Sequence, residues 1–138
     1  MKNIFLAIGL GLILIGCSTT VSVPVSEPTF TPGKSSLVFV YQGMGVYEPY
    51  KVKIFMDKQC IGEVGSTSPL AVSVAPGQHE LHTRMKGPVI DRITTAYFEP
   101  NQIYYLLVWF EGGVWVGSNR ITPIPKLTSY EIIKYSFQ

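Results

Sequence analysis

The chain has 138 residues, of which 46% are hydrophobic and 14% charged, with a formal net charge of +2. This excludes a disordered chain, which could not bury enough apolar surface to fold, and leaves room for one domain rather than two. A balance so near neutral also lacks the clustered basic footprint of nucleic-acid binders, so no nucleic acid is expected as a partner. Thirteen glycines, ten prolines and eight tyrosines suit short strands and tight turns better than long helices.

The chain opens with Lys2 and a charge-free apolar run over residues 4–15. As a helix that run reaches only about 18 Å, well short of a hydrocarbon core of roughly 30 Å. Residues 1–16 therefore read as a signal peptide rather than a permanent span. The run ends in Leu14-Ile15-Gly16-Cys17. This resembles the lipobox of bacterial lipoprotein signal peptides, with Ile15 bulkier than the residue commonest at its position. The resemblance implies a diacylglyceryl group on the Cys17 thiol and signal-peptidase cleavage between Gly16 and Cys17. In many bacteria it further implies acylation, as with palmitate, of the new amine. At about 0.8 kcal/mol per buried CH₂, more than one acyl chain makes an anchor effectively stable. The expected partner is thus a membrane, reached through the lipid. Ser18 follows where an aspartate would mark inner-membrane retention, which implies the inner leaflet of the outer membrane, facing the periplasm, if the cell is Gram-negative.

Residues 17–35 hold the lipidated cysteine and a Pro/Ser/Thr stretch with Pro24, Pro28 and Pro32. It reads as a flexible tether with a reach on the order of 50 Å in polyproline geometry. A single domain is expected over 36–138. Residues 36–42 (SLVFVYQ) form a continuous apolar run, as in a strand buried on both faces. Residues 43–49 read as a loop. Residues 50–56 alternate, with Tyr50, Val52, Ile54 and Met56 on one face and Lys51 and Lys53 on the other. Asp57-Lys58 falls at a hairpin turn leading into a return strand at 60–64, where Cys60 is expected as a buried thiol. Leu70, Val72 and Val74 alternate inward, and Pro76-Gly77 fits a type II turn. Further strands are predicted over 79–85, 92–98 and 102–110, the last (QIYYLLVWF) being the most hydrophobic. Glu111-Gly112-Gly113 turns it into a strand at 114–116. Thr128 and Glu131 have the spacing of a capping box, predicting a short terminal helix. Together these elements predict a mainly β fold, an antiparallel β-sandwich of about seven to eight short strands.

Four pieces of the domain resemble a family of uncharacterised bacterial lipoprotein domains, domain of unknown function 2846. They are Leu37-Val38-Phe39-Val40-Tyr41, the hairpin from Ile54 to Glu63, Ala75-Pro76-Gly77-Gln78-His79, and Glu99-Pro100-Asn101-Gln102-Ile103-Tyr104-Tyr105. Lys58 and Asn101 stand where the family has glycines; asparagine tolerates the left-handed geometry, whereas Lys58 leaves the hairpin type open. The resemblance implies a fold and carries no activity.

No catalytic constellation emerges. His79 and His82 are three apart on a strand and should point to opposite faces, so no metal site is expected. No serine lies in a nucleophile elbow, and no cysteine has a placed basic partner in sequence. The Gly43-Met44-Gly45 and Gly112-Gly113 pairs lie between strands, unlike a phosphate cradle. Neither a catalytic residue nor a cofactor is expected. The aromatic strand is the candidate partner surface. Tyr104, Leu106, Val108 and Phe110 share one face; Tyr105, Leu107 and Trp109 share the other, with Trp115 returning beyond the turn. One face must form the core. The other is either buried as well or an exposed patch through Tyr105, Trp109 and Trp115, a common mark of partner sites. The function expected is a non-enzymatic binding or accessory module of the cell envelope, whose partner is an envelope protein or glycan. The alternatives are a structural subunit of an envelope assembly and a small cell-wall-acting enzyme.

Overall fold

A computed structural model of the chain describes residues 18–25, 27–43, 50–87, 89–112, 116–126 and 129–135. Residues 1–17, with Gly16 and Cys17 among them, and Trp115 lie outside these residues. Among the described residues there are eleven strands and no helix. They are β1 (Ser18–Pro24), β2 (Ser35–Gln42), β3 (Val52–Met56), β4 (Gln59–Val64), β5 (Leu70–Val74), β6 (Gly77–Arg84), β7 (Val89–Ile90), β8 (Ile93–Phe98), β9 (Ile103–Gly112), β10 (Gly117–Ile124) and β11 (Ser129–Tyr135). One sheet runs β5-β2-β9-β10-β7 and a second runs β4-β3-β6-β8, while β1 and β11 form a separate two-stranded ribbon. The fold is mainly β and sandwich-like, as the turn spacing predicts.

The five-stranded sheet is mixed rather than wholly antiparallel. β2 pairs in parallel with β9, and β10 with β7. The reason lies in the two most apolar strands. Each seeks burial on both faces, which parallel central strands provide, and the excursion through β3 to β8 supplies the long crossover that parallel pairing needs. Between the sheets, Leu37, Phe39 and Tyr41 of β2 and Leu106, Val108 and Phe110 of β9 meet Val52, Ile54, Leu81 and Phe98 in the main core. On the far face of β2 and β9, Val38, Val40 and Tyr105 form a second buried cluster with Val25.

Within the stretch read as a tether, the structure places a strand and one buried valine. Residues 18–24 are paired along their whole length with β11, from Ser18 opposite Tyr135 to Pro24 opposite Ser129. Val25 is then buried, and the turn Thr31-Pro32-Gly33-Lys34 closes by Lys34 N–H donating to the Thr31 carbonyl at 3.1 Å. Gly33, at φ 76, donates its N–H to Asn101 Oδ1 at 2.7 Å, and Asn101 N–H donates to the Lys34 carbonyl at 2.8 Å. Val25 finds an apolar sheet face beside Val38, Val40 and Tyr105 that would otherwise meet water. The same pairing replaces the predicted terminal helix, because Ser129–Tyr135 is a strand. A capping box is a local preference, and pairing with a distant strand overrides it.

Turn chemistry follows the sequence closely. Asp57 at φ 50 and Lys58 at φ 69 are both left-handed, and Met56 lies opposite Gln59, which makes a two-residue type I′ hairpin. Lys58 adopts the conformation that glycine would favour. Asn101 at φ 59 does likewise. Cys60 is exposed rather than buried. It is the second residue after the turn and lies opposite Phe55, away from the main core.

Candidate binding face

The two described residues of the proposed aromatic patch, both on β9, lie in different environments. Tyr105 is buried in the second cluster. Trp109 is half-buried, with its indole N–H donated to Thr122 Oγ1 at 3.0 Å across the β9–β10 hairpin. Trp115 falls outside the described residues. The continuous apolar run of β9 therefore reflects burial on both faces, and Tyr105 is unavailable to a partner.

A different surface is open. The face of the four-stranded sheet turned away from the core carries rows of side chains fixed by the strand registers. Cys60, Phe55, His82 and Ile93 are directly opposite one another across β4, β3, β6 and β8. The Phe55 and His82 rings stack at 4.6 Å with an interplanar angle of 7°, and the Arg84 guanidinium lies 5.1 Å from the Phe55 centroid. Such a cation–π contact is worth about 0.5–1 kcal/mol at an exposed site. In the next row, Lys53 pairs with Glu63 at 3.9 Å, and Arg84 Nε lies 3.6 Å from Asp91 Oδ2. At the β8 end Ile93 and Tyr97 are 64% and 65% exposed. The face is therefore a flat platform of rings and aliphatic groups bordered by paired charges.

Cys60 and His82 share a row but lie two strand spacings apart, roughly 9–10 Å, with Phe55 between them. That is too far for a thiol and its general base. His79 and His82 lie on opposite faces, as alternation requires: His79 stacks beside the core residue Phe98, while His82 lies on Phe55. Sequence reading missed Phe55, His82 and Arg84 as a unit. Their signal was the alternation of β3 and β6, but only the register brings the three together.

His79 has a structural task at the edge of this sheet. Its Nδ1 lies 2.6 Å from Asp57 Oδ2 and its Nε2 lies 2.7 Å from the Ala75 carbonyl. Both partners accept, so both ring nitrogens donate and the imidazole is protonated in this geometry. Asp57 also accepts the Glu80 N–H at 3.0 Å through Oδ1. The residues thus tie the β3–β4 turn to the corner at Pro76-Gly77, where the chain passes from β5 in one sheet to β6 in the other. Partial burial pulls the His79 pKa down. The hydrogen bonds to Asp57 and Ala75 and the Asp57 charge outweigh it, leaving the group above its ordinary 6.5. The Glu80 N–H and then the His79 hydrogen bond hold Asp57 below its ordinary 3.8. The two signs differ. His79 contributes fully below 6.5 and loses that contribution as pH rises through its raised folded value. Asp57 contributes fully above 3.8 and loses it as pH falls through its lowered folded value. His79→Gln is therefore expected to lower Tm most between those two limits, with the gap to wild type narrowing above neutral pH. Melting curves across a pH series check this, and a gap that widens above neutral pH would refute it.

Comparison of the chain with known protein families, with curated proteins and with solved structures finds no match. What defines the class is the fold itself, mainly β and sandwich-like.

Proposed function

We propose that the chain is a lipid-anchored lipoprotein of the bacterial cell envelope, a non-enzymatic binding module that offers the Phe55–His82–Arg84 face to an envelope protein or glycan. The observation that carries the anchor is Leu14-Ile15-Gly16-Cys17 at the end of a charge-free run too short to span a bilayer. The likeness of its turns to domain of unknown function 2846 is consistent with this reading. If Cys17 is acylated, β1 and β11 leave the membrane together as a stalk about 23 Å long, at some 3.3 Å per residue. The lipid then holds the sandwich close to the bilayer rather than on a long leash. Partner binding would draw on exposed aromatic and cationic side chains, which are favoured at interface hot spots.

Metabolic labelling with palmitate in a Gram-negative host tests the anchor. The wild-type chain is expected to take up label and fractionate with membranes, and Cys17→Ser is expected to do neither. An unlabelled wild-type chain, or a Cys17→Ser chain that is still labelled, would overturn the proposal.

A further inference from the structure

We infer that the free edge of β8 pairs antiparallel with β8 of a second copy of this chain, joining two four-stranded sheets into one. The inference is independent of the lipid anchor. Among the described residues β8 is the terminal strand of its sheet and pairs with β6 alone. Which of its peptide groups face outward follows from β6. Glu80 accepts from Asp57 N–H through its carbonyl and donates its own N–H to Asp57 Oδ1, so both of its backbone groups point away from β8. Peptide direction alternates along a strand, so His79 and Leu81 direct theirs toward β8, where they meet Ala96 and Thr94. Ile93, Thr95 and Tyr97 consequently direct both N–H and C=O toward the open edge.

The same three residues carry the outward side chains, and their order is self-complementary. In an antiparallel pair, opposed residues share a face, so two β8 strands must register odd against odd. With Thr95 opposite Thr95, the exposed Ile93 meets Tyr97 of the second copy at both ends. Each of these pairs then exchanges both of its backbone hydrogen bonds. Thr94 and Ala96 fall opposite one another on the core side. Asp91 approaches Glu99 of the second copy just beyond the strand, where it is already engaged by Arg84.

Sheet edges that stay single are usually blocked by charge, proline, a bulge or a covering segment. The other terminal strands of the two larger sheets show these devices. β4 carries a register shift against β3 and Gly62 at φ 153. β7 has only two residues, and β5 lies beside the Thr31 turn, with Ser73 Oγ 3.4 Å from Thr31 Oγ1. β8, Ile-Thr-Thr-Ala-Tyr-Phe, has no lysine, proline or register shift. Within its own six residues this edge carries no charge, and the like charges of Asp91 and Glu99 meet only beyond its ends.

Cysteine crosslinking and sedimentation of the full chain in mild detergent test the pairing. In a Cys60→Ser parent, Thr95→Cys should crosslink to itself on mild oxidation, because hydrogen-bonded partners across an antiparallel pair lie about 5.5 Å apart at Cα, within disulfide range. Ile93→Cys and Tyr97→Cys should crosslink when mixed, not alone. Sedimentation across a concentration series should give a dimer for wild type and a monomer for Thr95→Pro. That proline removes an N–H that β6 does not use, so melting should persist. Thr95→Lys, which sets like charges opposite each other, should also give a monomer and guards against a proline that fails to fold. A monomeric wild type, a dimer that survives both variants, or Thr95→Cys crosslinking no more than its parent or only to a different protein would overturn the inference.

Discussion

Gly117→Ala is expected to destabilise the protein by about 2–3 kcal/mol, the cost of overpacking or of driving a buried ring into water. Gly117 lies directly opposite Gly112 across the β9–β10 hairpin. A Cβ built at either position falls on the ring of Phe110, which is 8% exposed and part of the main core. The two glycines thus form a recess that the ring occupies. Gly117 does not have a left-handed backbone, so conformational strain is not the cause. Removing the ring should remove the penalty. In a Phe110→Leu background, Gly117→Ala should cost little, since alanine is favoured over glycine in a strand by roughly 0.5–1 kcal/mol. Urea denaturation of the four chains gives the coupling directly. Equal destabilisation in both backgrounds would show that the ring is not what the glycine accommodates.

The second large effect runs in the opposite direction. Thr83 on β6 and Asn119 on β10 are each 1% exposed, yet Thr83 Oγ1 and both polar atoms of the Asn119 side chain have no hydrogen-bond partner among the described residues. Leaving a buried polar group unsatisfied costs about 1–3 kcal/mol. Thr83→Val keeps the side-chain shape and removes the hydroxyl, so a gain of about 1 kcal/mol is expected. Asn119→Val removes two such atoms from a strand position that suits a branched side chain, and about 1–3 kcal/mol is expected. Both variants should raise the urea midpoint without changing the slope. A lowered midpoint for either would refute the expectation at that position. The contrast nearby is Tyr41, whose hydroxyl reaches Met85 Sδ at 3.7 Å and whose pKa burial pushes up to about 12.

Much of the strand pattern is legible from residue types alone. The run at 36–42 and the run at 102–110 announce strands with no polar face, and both prove central. Leu70, Val72 and Val74 alternate inward as read. The least legible strand is β10, whose Pro123 argues against a strand in the middle of a sheet. It is accommodated because β7 pairs with β10 only at Gly117 and Ser118, leaving Pro123 at an effective edge. The row of rings on the four-stranded sheet is illegible for a related reason. Phe55, His82 and Arg84 belong to segments that each look ordinary, while the aromatic density of β9 drew attention to residues that lie partly or wholly inside.

By itself the sequence determined the all-β character, the positions of most turns and the apolar centre of the five-stranded sheet, because these depend on local alternation and on backbone preferences at residues such as Gly77 and Asn101. It also determined the short apolar run over residues 4–15 and the cysteine that follows. Tertiary structure alone decided that β2 and β9 run parallel, that residues 18–24 pair with 129–135, and which sheet face stays uncovered. The physical reason is that each depends on which distant strand reaches an apolar face first in space, and that competition leaves no trace in any short window of residues.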